Sequence, residues 1–135
     1  GLQLIEPVSM HAVAYGWIAM NGLRPDHIPE IPEKACWLHF DRVRDEYQGR
    51  GYHRLLIYER LKLIYTLYDP SNIDVYIDTS ADNIASRINQ LKMGFSECGV
   101  YHVWTVGTKR IPKLYWQRGR WNMKEKHPPI VVANI

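Results

Sequence analysis

Cysteine is scarce in this 135-residue chain. Cys36 and Cys98 both sit in strand-like runs, lack the short spacings of a metal site, and are too few for a disulfide framework, so they read as small buried hydrophobes. Long apolar runs are missing too. None approaches the ~20 residues needed to cross a bilayer, and no basic segment followed by an apolar one opens the chain; a cytoplasmic protein without membrane association is expected. His11, His27, His102 and His127 are scattered, which gives no reason to expect a metal. Ser80 and Ser86 lack a glycine-flanked elbow, so a hydrolase triad has no support. Internal repeats and low-complexity linkers are absent.

What is present suits one soluble globular domain with a real core: 46% hydrophobic and 23% charged residues. The net charge of +3 hides an asymmetry. Residues 1–108 hold 10 Lys+Arg and 13 Asp+Glu, whereas residues 109–135 hold 7 and 1. In the basic part, Tyr115, Trp116 and Trp121 alternate with Lys113, Arg118, Arg120, Lys124 and Lys126. That composition can grip a phosphate backbone and stack on bases, so residues 109–126 are a candidate nucleic-acid contact, with a solvated final strand and tail as the other reading. The domain is expected over 1–118, followed by a basic, then apolar tail over 119–135. The apolar end, Pro128 to Ile135, is suited to adding a strand to a neighbouring subunit in a homo-oligomer.

Residues Leu2 to Val8 and His11 to Met20 read as strands, followed by a Pro-containing loop in which Pro25, Pro29 and Pro32 exclude a helix. Ala35 to Val43 is rich in aromatic and β-branched residues. Tyr52 to Tyr68 carries Leu55, Leu56, Tyr58, Leu61, Leu63, Ile64 and Leu67 at helical spacing, and Asp69-Pro70 stops it. Ile73 to Thr79 alternates as a half-buried strand. Asp82 or Asn83 caps a helix over Ile84 to Met93, with Ile84, Ile88 and Leu91 on one face and Gly94 as its end. Phe95 to Val106 and Ile111 to Arg118 pair antiparallel around Gly107. A mixed sheet covered by helices follows, with the central strand–helix–strand unit as a parallel crossover.

The most informative stretch lies between the strand ending at Val43 and the helix starting at Tyr52. Gly49 and Gly51 can take backbone angles closed to other residues and let an anion approach the main chain. The unbonded N–H groups of the first helical turn then point at it, an arrangement fit for a pyrophosphate.

These residues resemble the GNAT superfamily of N-acetyltransferases. Its loop pattern, [Gln/Arg]-x-x-Gly-x-[Gly/Ala], is matched by Gln48-Gly49-Arg50-Gly51-Tyr52-His53, with the hydrophobic Val43 five positions upstream. A second signature runs from Asn83 to Gly94-Phe95 with the family's twelve-residue step. The resemblance covers roughly His11 to Arg118 and implies an α/β (α+β) fold: a mixed, mostly antiparallel sheet with a central parallel strand pair, flanked by helices. Three departures stand out. His53 occupies the last small position of the loop, where an imidazole, when protonated, adds a charge-assisted contact to a diphosphate. Gln90 stands where many members place a tyrosine acid. Residues 1–34 are fewer than the family usually places ahead of this strand.

The resemblance implies acetyl-CoA as cofactor and transfer of its acetyl group to a small-molecule or peptide amine. Main-chain N–H groups of Gly49, Arg50, Gly51, Tyr52 and His53 would hold the diphosphate, with Gln48, Arg50 and Arg54 as side-chain donors. The Val43 backbone and Asn83 would meet the pantetheine arm. Plain strand alternation puts His39 and Asp41 on one face, which makes both candidates for deprotonating the amine; Asp41 can instead attract a cationic one. The alternatives are a sheet histidine with a hydrogen-bonded ring and an Asp41–arginine pair. At the level of the whole chain, the alternative is a non-catalytic relative serving as a binding or structural module.

Overall fold

The computed structural model describes residues 1–23, 25, 28, 33–106, 108–116 and 130–134, with the backbone alone for 102–106, 110–116 and 130–134. Its elements run β1 (Leu2–Ile5), β2 (Ala12–Ala19), β3 (Ala35–Val43), α1 (Tyr52–Leu67), β4 (Asp74–Ser80), α2 (Ile84–Lys92), β5 (Ser96–Val106), β6 (Lys109–Trp116) and β7 (Ile130–Asn134). The strands form one sheet in the order β1-β2-β3-β4-β7-β5-β6. Among the described residues only β3 and β4 are parallel; every other neighbouring pair of these strands is antiparallel. The mixed, mostly antiparallel α/β sheet with one parallel pair is therefore as expected. Among the described residues no helix is long and apolar enough to cross a membrane.

The helix α1 buries Leu56, Ile57, Leu61 and Ile64, which recur at the spacing of one helical face. Ile57, Leu61 and Ile64 pack on Cys36 and Leu38 of β3 and on Val75 and Ile77 of β4. Each fully buried aliphatic side chain there contributes about 1.5–3 kcal/mol. On the other face of the sheet, Ala35, Trp37, Tyr76 and Tyr101 form a second cluster closed by Ile28. Of the three prolines in the loop before β3, Pro29 and Pro32 lie outside the described residues.

A bulge breaks the alternation of β3. Tyr15 pairs with Arg42 and Trp17 with His39, so Gly16 alone faces both Phe40 and Asp41. Phe40 takes the left-handed backbone, φ +53°, which costs roughly 1–2 kcal/mol for a residue with a Cβ. The extra residue turns everything beyond it to the opposite face. Asp41 and Val43 consequently face α1, where Val43 packs against the Val13, Ala14 and Leu56 cluster. His39 stays on the face of Trp37, and the expectation that His39 and Asp41 share a face is corrected.

Buried within α1, Arg60 crosses to this bulge. Its Nε donates to the Leu56 carbonyl (3.2 Å), while Nη1 donates to the Trp17 carbonyl (3.1 Å) and to Asp41 Oδ1 (2.6 Å). Its Nη2 bonds Asp41 Oδ2, which completes a bidentate pair. The fit requires glycine at position 16, because a Cβ there would stand 2.7 Å from Arg60 Nη1.

The apolar stripe on α2 and the C-terminal apolar run take positions that local pattern does not specify. The face of α2 carrying Ile84, Ile88 and Leu91 points outward, at 64%, 45% and 47% exposure. The Asn83 cap and a Gly94 stop set the rotation of this short helix so that Gln90 is buried instead. Residues 130–134, expected in a tail beyond the domain or on a neighbouring subunit, form β7 within the sheet. This strand pairs antiparallel with both β4 and β5 and satisfies two otherwise open strand edges. Of the basic stretch 109–126, residues 117–126 lie outside the described residues.

Replacing Asp41 by Asn strands a buried guanidinium and is expected to cost about 3–5 kcal/mol in urea unfolding. Adding Arg60→Met should recover much of that loss, because the two positions are coupled. Burial raises the Asp41 carboxyl pKa, but the His53 hydrogen bond and the Arg60 charge outweigh it and hold it below the usual carboxylate range. The sign follows: the stabilisation is complete above the unfolded carboxyl's ordinary value of about 3.9 and is lost as pH falls through the lower folded value. Wild type should show this acid limb and Asp41→Asn should lack it.

Candidate functional site

The strands β3 and β4 stay paired only from Ala35↔Asp74 to Leu38↔Ile77. Beyond that point they part, and a cleft of about 490 Å³ opens between the end of β3, the following loop, the first turn of α1 and α2. It is lined by Asp41, Arg42 and Val43 from the strand, and by Asp45, Tyr47, Gln48, Gly49 and Gly51 from the loop. The helices add Tyr52, His53 and Arg54 from α1, and Asn83, Ala85, Ser86 and Asn89 from α2.

Local sequence accounts for this shape. Asp45–Tyr47 makes a single 3₁₀ turn, after which Gly49 (φ +74°) and Gly51 (φ +84°) reverse the chain through conformations that side chains rarely adopt. Tyr47 before the reversal meets Tyr52 after it edge-on, with ring centroids 6.0 Å apart. Gln48 Nε2 donates to Asp45 Oδ1 at 2.9 Å. Gly51 caps α1 without a side chain, and the first intrahelical bond runs from Leu55 N–H to the Gly51 carbonyl (3.1 Å). The N–H groups of Tyr52, His53 and Arg54 precede that bond and have no partner within the helix. Space beside the glycines is open: a Cβ at Gly49 would meet nothing within 4 Å.

His53 is engaged through both ring nitrogens. Its Nε2 donates to Asp41 Oδ2 (3.2 Å) and its Nδ1 accepts from the Asn89 amide (3.3 Å), so the ring forms a side wall and ties α1 to α2. Asn83 caps α2, its side chain accepting from Ser86 N–H at 3.1 Å. At the other end, Gly94 N–H bonds the Leu91 carbonyl and Phe95 N–H the Gln90 carbonyl, the paired pattern of a glycine-terminated helix. Gln90 itself is buried, with Nε2 donating to Ser86 Oγ (3.4 Å), and does not reach the cleft.

Of the residues expected from the sequence to contact a cofactor, Val43, Gln48, Gly49, Gly51, Tyr52, His53, Arg54 and Asn83 converge on this one cleft. Arg50 does not; its guanidinium lies over the Tyr47 ring, 5.5 Å from the centroid. Asp41 reaches the cleft wall, but both its oxygens are bonded, and a carboxyl held below its usual range is a poor proton acceptor near neutrality. His39 is not among the lining residues. Sequence reasoning missed Arg60, Ser86 and Asn89. Arg60 had a signal, a charge inside the apolar face of α1; Ser86 and Asn89 had one in their three-residue spacing from Asn83 along α2.

No protein-family model matches the chain, and no curated protein does. Solved structures do. A ribosomal-protein alanine N-acetyltransferase from Escherichia coli superposes with a TM-score of 0.60 at 13% identity, covering 98% of this chain and 65% of that one. A GNAT-family acetyltransferase from Streptococcus pneumoniae gives 0.58 at 13% identity over 95% and 62% of the two chains. A spermidine N-acetyltransferase chimera from Vibrio cholerae gives 0.58 at 15% identity over 98% and 66%. The chain thus spans a little under two thirds of the length of these neighbours, and in its architecture it carries the GNAT fold of N-acetyltransferases in a divergent form.

Proposed function

We propose that the chain binds acetyl-CoA in the cleft beside β3 and serves as an N-acetyltransferase. The observation that carries this reading is the convergence of the loop after Val43, the first turn of α1, which no side chain caps, and Asn83 on one open cleft. The residues fit a diphosphate: unbonded amides at a helix start, positive-φ glycines with free space beside them, and the Arg54 guanidinium on the lining. Arg60 neutralises Asp41, so the partly buried carboxylate of the wall does not oppose an anion. Val43, at the end of the strand, is placed for backbone contact along the arm that follows the diphosphate.

Bound acetyl-CoA supplies a thioester carbonyl that an amine attacks directly. The chain's own part is to hold the nucleotide end, to keep β3 and β4 parted, and to fix the loop through Tyr47, Tyr52 and the Arg60–Asp41 pair. Asp41 acts here as a positioning residue. A second reading, a binding module that retains the cleft without transfer, is favoured by the buried Gln90, which places no proton donor at that turn of α2.

Calorimetry with CoA and with acetyl-CoA tests the first step; saturable binding of both is expected, and its absence would end the cofactor reading. Gly51→Val forces a strained loop costing about 1–3 kcal/mol and should weaken CoA at least tenfold. His53→Ala should change CoA affinity only about threefold, since amides rather than the ring hold the phosphates. Thiol release from acetyl-CoA across an amine panel then separates the two readings: release dependent on an amine supports transfer, and binding with none supports the module.

A further inference from the structure

The outward face of α2 carries a seam. Ile84, Ile88 and Leu91 follow one another at steps of four and three, the spacing of a helix-to-helix contact, and all three are exposed. The packing side of the same helix is polar: Gln90 is buried, and Ser86 and Asn89 line the cleft. Exposed apolar residues scattered singly are ordinary. Three aligned within nine residues form a strip, and a strip of this kind marks a contact surface.

The charges around the strip decide what fits it. Lys92 stands in the last turn, four residues after Ile88 and on the edge of the strip, and it is exposed. Asp82 lies exposed at the other end, just before the Asn83 cap, where it accepts the Ser80 hydroxyl. Arg87 flanks the opposite edge, but it is paired with Glu97 at 2.5 Å and adds little net charge there. The strip is therefore acidic where the helix begins and basic where it ends. Two copies laid antiparallel bring Asp82 of each beside Lys92 of the other, set Ile84 against Leu91, and leave Ile88 near the two-fold axis. Parallel copies would put like charges together and align the two helix dipoles unfavourably. A face that complements itself in this way is what a two-fold dimer requires.

We propose that α2 docks antiparallel on α2 of a second copy of this chain, through Ile84, Ile88 and Leu91, with an Asp82–Lys92 pair at each end. The helix is short, about 13 Å at 1.5 Å per residue, so the contact is a weak, concentration-dependent one and not an obligate interface. It goes beyond the acetyltransferase reading and does not depend on it.

Sedimentation equilibrium of the full chain at low salt, from about 10 μM to about 1 mM, tests the pairing over the range expected of a small interface. The mass should climb from monomer toward dimer as concentration rises, and Ile88→Glu should stay monomeric throughout. Lys92→Asp alone should weaken association about fivefold, and adding Asp82→Lys should restore most of that loss, because the exchanged charges meet again across the axis. A monomer mass for wild type at every concentration, association that persists in Ile88→Glu, or a double exchange no better than Lys92→Asp would each overturn the assignment. Wild-type amide resonances supply a reading that needs no variant: their shifts with concentration should centre on residues 82–92, and shifts centred elsewhere would overturn it as well.

Discussion

One buried guanidinium organises this domain. Arg60 sits inside the apolar face of α1 with no exposure, and a charge so placed is tolerable only if it is paired and fully hydrogen-bonded. Asp41 can meet it only because the strand bulges at Phe40, and the guanidinium can pass only because position 16 carries no side chain. Left-handed phenylalanine is unfavourable by itself, so the pair and the bulge hold each other in place. From that locked geometry the rest follows: Val43 emerges on the helical side, and the glycine loop starts there and lines the cleft.

Much of this was readable from local signals. The strand Ala35–Val43 and the start of α1 at Tyr52 fall where the residues place them, because β-branched and aromatic content, paired glycines and a proline stop act over a few residues. The convergence of Gly49, Gly51, Arg54 and Asn83 was readable for the same reason: two short patterns, each with its own mechanical need, line one cleft. The side-chain directions beyond position 40 were not. Alternation is a period-two rule, and one inserted residue inverts it, so His39 and Asp41 part company through a feature that no neighbouring residue type announces.

Non-local pairing accounts for the other differences. Ile130–Asn134 looks like a strand from its composition, but its partners lie far away in sequence, and nothing local says that it belongs between β4 and β5. The stripe Ile84, Ile88 and Leu91 is a true helical face; the cap at Asn83 and the stop at Gly94, not the stripe, decide which way it points. The hydrogen bonds from Trp37 and Tyr101 to Asp78 escaped notice likewise, since they join three strands across the sheet.

The position of β7 has a kinetic consequence. Among the described residues, the backbones of β4 and β5 are joined only through this strand, so the two halves of the sheet share no ladder until β7 inserts between them. Before insertion each half presents a bare edge to other chains. During synthesis on the ribosome, the N-terminal half with α1 has its own contacts early, whereas coupling waits for a distant segment and carries the slow loop closure of high contact order. Chaperone dependence and yield in the cell should therefore be governed by how quickly that last strand arrives.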